Sequence, residues 1–198
     1  MIEKILADDP ASANDEDMKE MRFQLALFER DFNAATRFVA GLPQDGMDGF
    51  PSDFWIGMIA RASGDTVAAH AAFSAARAQQ EAAVEAASTR QPDYAQALST
   101  LGMIDAGLGQ KVEALREGRR AIELVPIGRD WTDGPSVAFH LALIYAWTGE
   151  LDLAIEQLEI VSKIPNGPTY GILRLDPMWD SLRGDPRFEK VVASLAPK

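Results

Sequence analysis

The stretch that decides the fold is SVAFHLALIYAWTGELDLAIEQLEIVSKIP, residues 136–165. Apolar residues recur at helical spacing on both sides of Gly149, and Pro165 closes the run. A glycine between two such runs reads as a tight turn joining two antiparallel helices. Two further stretches carry the same design. FWIGMIARASGDTVAAHAAFSAARAQQEAAVEAAS (54–88) turns at Gly64, and QALSTLGMIDAGLGQKVEALREGRRAIELVP (96–126) turns at Gly109.

Aligned on their turn glycines, the three stretches agree position by position. Ala69, Ala114 and Ala154 follow the glycine at the same distance. Ile56-Gly57, Leu101-Gly102 and Leu141-Ala142 precede it at another. Phe73, Gly118 and Leu158 share a third position, and Ala76, Ala121 and Val161 a fourth. Small residues at facing positions let two helices approach closely, and large ones such as Ile56, Leu101, Leu141 and Tyr145 fill the seam. A helix pair cannot bury its apolar stripe alone, whereas stacked pairs can. No stretch alternates as a strand would.

This register resembles the tetratricopeptide repeat, W-x2-L-G-x2-Y, then A-x3-F, then P, over 34 residues. Units 95–128 and 135–167 match it well, 50–88 less so, and 15–44 is degenerate, with Arg30 in place of the turn glycine. The glycine spacings exceed the template, which a longer helix after Gly64 and the insertion GRDWTDGP (128–135) would explain. The resemblance implies an all-α fold, a right-handed α-solenoid of antiparallel helix pairs with C-terminal capping helices over 172–198. Residues 1–14 read as an N-terminal arm, with Asp9-Pro10 a helix-start signal. EDMKEMRFQLALFE (16–29) and RDFNAATRFVAGLP (30–43) read as helices, followed by the loop PQDGMDGFPSD (43–53).

The chain closes with LRLDPMWDSLRGDPRF (173–188), which says nearly the same thing twice. Asp176-Pro177 and Asp185-Pro186 read as helix starts, the aspartate capping free N–H groups and the proline fitting the first turn. Gly184 suits a left-handed stop between them. Trp179, Leu182, Phe188, Val191, Val192 and Leu195 are then placed to cover the last repeat. Arg174, Arg183 and Arg187 are placed to pair with acids. The segment also resembles the closing segment of tetratricopeptide arrays behind bacterial serine/threonine kinase, adenylate cyclase and DNA-binding regulator domains. That likeness implies a regulatory or oligomerising tail, although none of those domains' motifs occurs in these residues.

Composition narrows the function. A net charge of −11 disfavours nucleic acid and anionic membrane surfaces. There is no cysteine, so disulfides and thiolate chemistry are excluded. No apolar run approaches the roughly 20 residues that span a bilayer. The default expectation is a cytoplasmic chain, extracytoplasmic if it lies behind a membrane anchor. His70 and His140 fall in different units, without the i, i+4 partner of a helical zinc site. AGLGQKV (106–112) lacks the spacing of a phosphate loop, and no nucleophile-elbow motif occurs. The reading is of a non-enzyme without metal or cofactor.

In the repeat family the first helix of each pair lines the concave face. That places Phe54, Met58 and Arg61, then Ser99, Met103 and Ala106, then Phe139, Leu143 and Ala146 along a groove, with Trp55, His140 and Trp147 at its edges. Arg61 alone is basic, so a clamp for a terminal carboxylate is not expected. An apolar groove suits an amphipathic helix or extended segment of a protein or peptide partner, with self-association left open. The competing reading packs these side chains between repeats or hides them under the loops 128–135 and PNGPTYG (165–171).

Overall fold

The computed structural model describes residues 16–88, 90–165 and 167–197; the arm 1–14 and its Asp9-Pro10 signal lie outside them. The described residues form helices and no strand, apart from one isolated bridge between Met47 and Phe50. In order these are α1 (Glu16–Phe28), α2 (Phe32–Val39), α3 (Ser52–Ser63), α4 (Thr66–Ala87) and α5 (Gln91–Gly107). Then come α6 (Lys111–Leu124), α7 (Gly134–Trp147), α8 (Leu151–Val161) and α9 (Tyr170–Leu175), the 3-10 turn Pro177–Leu182, and α10 (Pro186–Ser194). From α1 to α8 each helix packs on the next. The first helices of successive pairs also touch, α3 on α5 and α5 on α7.

Four helix pairs turn by one hydrogen-bonded device. Gly64, Gly109 and Gly149 sit at φ of 86°, 77° and 80°. The following N–H reaches back to the first helix: Asp65 to Ala60, Gln110 to Asp105, and Glu150 to Tyr145. The degenerate first pair does the same. Arg30 takes the left-handed conformation at φ 58°, and the Asp31 N–H bonds the Ala26 carbonyl. The next helix starts identically in all four, with Ala35, Ala69, Ala114 and Ala154 bonding back to the residue after the turn. All four alanines are buried. Asp31 and Asp65 add side-chain caps to Ala34 and Ala68.

The small residues sit at close contacts. A Cβ added at Gly102 would meet Ile144 Cδ1 at 2.9 Å and the Ala114 carbonyl oxygen at 3.1 Å. α5, α6 and α7 are therefore wedged together around Ile144, which is fully buried. Phe73, also fully buried, fills the equivalent seam of the preceding pair, its ring within 3 Å of where a Cβ on Gly57 or Gly107 would stand. α4 is 22 residues long, as the spacing after Gly64 anticipated.

Both Asp-Pro signals act as helix starts. The Asp176 carboxylate accepts from Met178 N at 2.9 Å and Asp185 from Arg187 N at 2.8 Å, while Gly184 takes φ +87°. α10 packs on α8, so a portion of the segment covers the last pair as expected. The preceding 3-10 turn, with buried Trp179 and Leu182, also covers the last pair at α7 as expected, and in addition packs on α3, bridging two pairs. The three arginines pair with acids as expected, Arg174 with Glu189 at 3.4 Å and Arg183 with Asp180 at 2.7 Å. Arg187 reaches Asp152 of α8 at 2.7 Å, and Arg183 also caps carbonyls, donating to those of Arg174 and Asp176 at 2.7 and 2.8 Å.

Gly102→Ala should destabilise by roughly 2 kcal/mol, because a backbone carbonyl cannot yield to the new methyl. The expected fall in thermal midpoint is about 5 °C, read by circular dichroism. Gly109→Ala should act by a different mechanism, through backbone strain alone, since nothing lies within 4 Å of its Cβ position.

Candidate functional site

The inner face of α3, α5 and α7 is covered by the chain itself. Two segments do this, and neither is the loop 128–135 or 165–171. The first is the loop 43–51, which turns through Gly46, Asp48 and Gly49 at positive φ and brings Phe50 inward. The Phe50 ring stacks on Phe54 at 4.6 Å and meets Trp55 and His140 edge-on, each at 5.4 Å. The second is the C-terminal segment. Trp179 is completely buried, its ring 5.2 Å from that of Phe139. The Trp147 indole N–H donates to the Met178 carbonyl at 2.9 Å, fixing the segment by its main chain.

The first helix pair completes the cover. Arg30 forms a two-armed ion pair with Asp180, at 2.7 and 2.8 Å. Gln24 donates to Asp176 at 3.2 Å. Burial would raise the Asp180 carboxyl, but Arg30 and Arg183 outweigh it and hold it below its usual range. Arg30 thus serves both as turn residue and as tie.

The ten groove residues expected from the sequence are brought together, but not on an open surface. Phe54, Trp55, Met58, Ser99, Met103, His140 and Leu143 are buried; Phe139 and Trp147 are half-buried; Arg61 is exposed. They divide into two spaces. Phe54, Trp55, Met103, Phe139, His140 and Leu143 line an inner cavity of about 150 Å³, together with Phe50, Asp176 and Trp179. Met58, Arg61 and Trp147 line an outer cleft of about 330 Å³ beside Met178, Asp180 and Ser181. The Arg61 guanidinium lies over the Trp147 ring, 4.6 Å from its centre. Ser99 lies behind His140, its hydroxyl 2.8 Å from Nδ1.

Local sequence reading brought out the row and placed Trp179 over the last repeat, but missed Phe50, Gln24 and Arg30 as parts of the cover. Phe50, Gln24, Arg30, Asp176 and Trp179 belong to the site, yet each stands in a loop or a degenerate or terminal segment. The one available signal was the pair of conspicuous aromatics, Phe50 and Trp179, in glycine- and proline-rich surroundings.

Four buried titratable groups, His140, Asp105, Glu117 and Asp176, lie in or beside this architecture. Burial pushes the His140 imidazole down to about 4, so it is neutral at neutral pH. The Ser99 hydroxyl lies 2.8 Å from the Gln96 carbonyl. When it donates there, Nδ1–H donates to Ser99 Oγ and Nε2 is left as an acceptor. On the far side of α5, Glu117 is buried near Asp105, which Arg77 holds at 2.7 Å. Burial, and then the Asp105 charge, push the Glu117 carboxyl up to about 7. Burial likewise raises Asp176. Among the described residues no cluster of three or more His, Cys, Asp or Glu is arranged to hold a metal ion.

Comparison with protein-family models, with curated proteins and with solved structures finds no match to this chain.

The buried positions set clear expectations. Met103→Glu and Leu143→Glu should unfold the chain, read as loss of the cooperative thermal transition, because each buries an unpaired charge. His140 and Glu117 should pull stability in opposite directions with pH. An imidazole depressed on folding contributes stability that is lost as pH falls from about 6.5 towards 4; a carboxyl raised on folding contributes stability that is lost as pH rises from about 4.5 to 7. Glu117→Gln should therefore show a thermal midpoint that climbs between pH 5 and 7. His140→Asn, which keeps a donor for Ser99, should show one that falls, each by about 5 °C.

Proposed function

We propose that the chain is a non-catalytic interaction module of the tetratricopeptide kind, a right-handed α-solenoid whose inner face takes an apolar, tryptophan-bearing segment of a protein partner. The chain's own residues 173–182 occupy that face, and a partner segment of like chemistry exchanges with them. One observation carries this reading: the Trp147 indole holds the Met178 carbonyl while Trp179 is wholly buried against Phe139. A donor on a main-chain carbonyl, beside a deeply buried aromatic anchor, lets a groove hold a short helical segment. The four identical turns support the repeat assignment. The outer cleft, with exposed Arg61 and half-buried Trp147, gives an incoming segment a first foothold next to Met178.

The chain's segment competes from a high effective concentration, so exchange needs it weakened. Trp179→Ala removes its anchor at a cost of about 3–5 kcal/mol. A labelled peptide of residues 171–188 should then bind the variant, measured by fluorescence anisotropy, at least about tenfold more tightly than wild type. Arg30→Glu, which breaks the tie to Asp180 without opening the core, should give a smaller gain in the same direction. Two folded variants that take up no peptide would end this reading.

A further inference from the structure

We propose that the cleft between α5 and α6 is a binding site for a phosphoryl dianion, held by Arg116, Arg119 and Arg120. The chain carries a net charge of −11, yet three of its 19 basic residues fall within one stretch of α6 and line this one cleft of about 570 Å³. All three side chains are exposed, so a solute reaches them directly. The planar guanidinium donates in pairs to phosphate oxygens, which an ammonium group does not. The site lies apart from the inner face, and its lining residues are not those of the segment exchange proposed above.

The chain itself compensates this charge poorly. Arg119 lies over the Tyr145 ring and donates to its hydroxyl at 3.4 Å, which is no counter-charge. Arg120 meets Glu123 at 3.1 Å, but both side chains are more than half exposed, and such a pair contributes little. Arg116 has Glu117, at 3.2 Å. Glu117 is a counter-charge only while ionised, and its surroundings oppose that. Its Oε2 and the Oδ2 of Asp105 are buried without a donor among the described groups, and the two carboxyls lie within hydrogen-bonding reach of one another. One proton between them makes each the other's partner. Burial, then the Asp105 charge, raise Glu117 to about 7, so it holds that proton through much of the neutral range. Behind Asp105 stand Arg77 and Glu81 of α4, and α7 contributes Tyr145 across Arg119. With Glu117 protonated, Glu123 is the one charged acid lining the cleft, and two positive charges stand unbalanced. A phosphoryl group brings close to two negative charges at neutral pH, whereas a sulfonate brings one. An anion beside Glu117 also favours its protonated form, so affinity for a permanently charged anion falls as pH rises through about 7.

The test uses the wild-type chain with ¹⁵N-labelled arginine and follows the side-chain Nε–H signals during titration with phenyl phosphate, inorganic phosphate and benzenesulfonate. The signals of Arg116, Arg119 and Arg120 should shift saturably, while that of Arg61, over Trp147 in another cleft, should stay in place. At pH 7 phenyl phosphate should bind at least about fivefold more tightly than benzenesulfonate, two charges against one. The ratio of phenyl phosphate to inorganic phosphate tells whether the group is taken on an organic body or free. Benzenesulfonate keeps its charge, so it isolates the protein's own proton: its affinity should fall about fivefold between pH 6 and 8, and Glu117→Gln should abolish the fall. Arg119→Gln, at an exposed position, should weaken phenyl phosphate roughly five- to tenfold. Equal shifts at Arg61 and Arg119, benzenesulfonate as tight as phenyl phosphate, or an affinity of wild type for benzenesulfonate that ignores pH would overturn the assignment. Those three readouts need no variant, so they decide the matter even if Glu117→Gln does not fold.

Discussion

The inner edges of α3, α5 and α7 are apolar, and stacking between helix pairs does not cover them. Everything distinctive about this chain follows from how that surface is removed from water. Phe50 is folded down from a glycine-rich loop, Trp179 is inserted from the C-terminal segment, and both are buried among the same aromatic neighbours. Burying a side chain of this size contributes roughly 2–3 kcal/mol. The cover is also specified by polar contacts, from the Trp147 indole to a backbone carbonyl and from Arg30 to Asp180.

The helix pairs and their turns were legible in the sequence because they are encoded locally. A glycine, an alanine a fixed distance on, and an apolar-plus-small pair before it are visible within one window, and each has one physical job. Gly102 shows this most plainly: absence of a side chain there is what lets Ile144 and the Ala114 carbonyl come so near. The capping aspartates were legible for the same reason.

The cover was legible only in its C-terminal part, where Trp179 was placed over the last repeat; its ties were not, because their partners are distant in sequence. Arg30 and Asp180 are separated by 150 residues, and Gln24 and Asp176 by 152. Arg30 was even misleading. Read as a lapse from the glycine pattern, it is the residue whose left-handed backbone and long side chain let one position both turn the chain and grip its far end. The groove residues were identified as a row, but exposure belongs to what lies on top of a row, and no local pattern states that. His140 and Ser99 illustrate the point: from sequence an edge and a floor of an open channel, in space a buried, hydrogen-bonded pair.

The two-armed grip of Arg30 on Asp180 has a further consequence. In an open stack of repeats, terminal units contact a single neighbour and can melt early while the middle persists. Here the first helix pair and the segment around the 3-10 turn share contacts, Arg30 with Asp180 and Gln24 with Asp176, so opening either region breaks contacts of the other. Helices joined in this way resemble a clasped bracelet, and the two clasped regions should lose structure together.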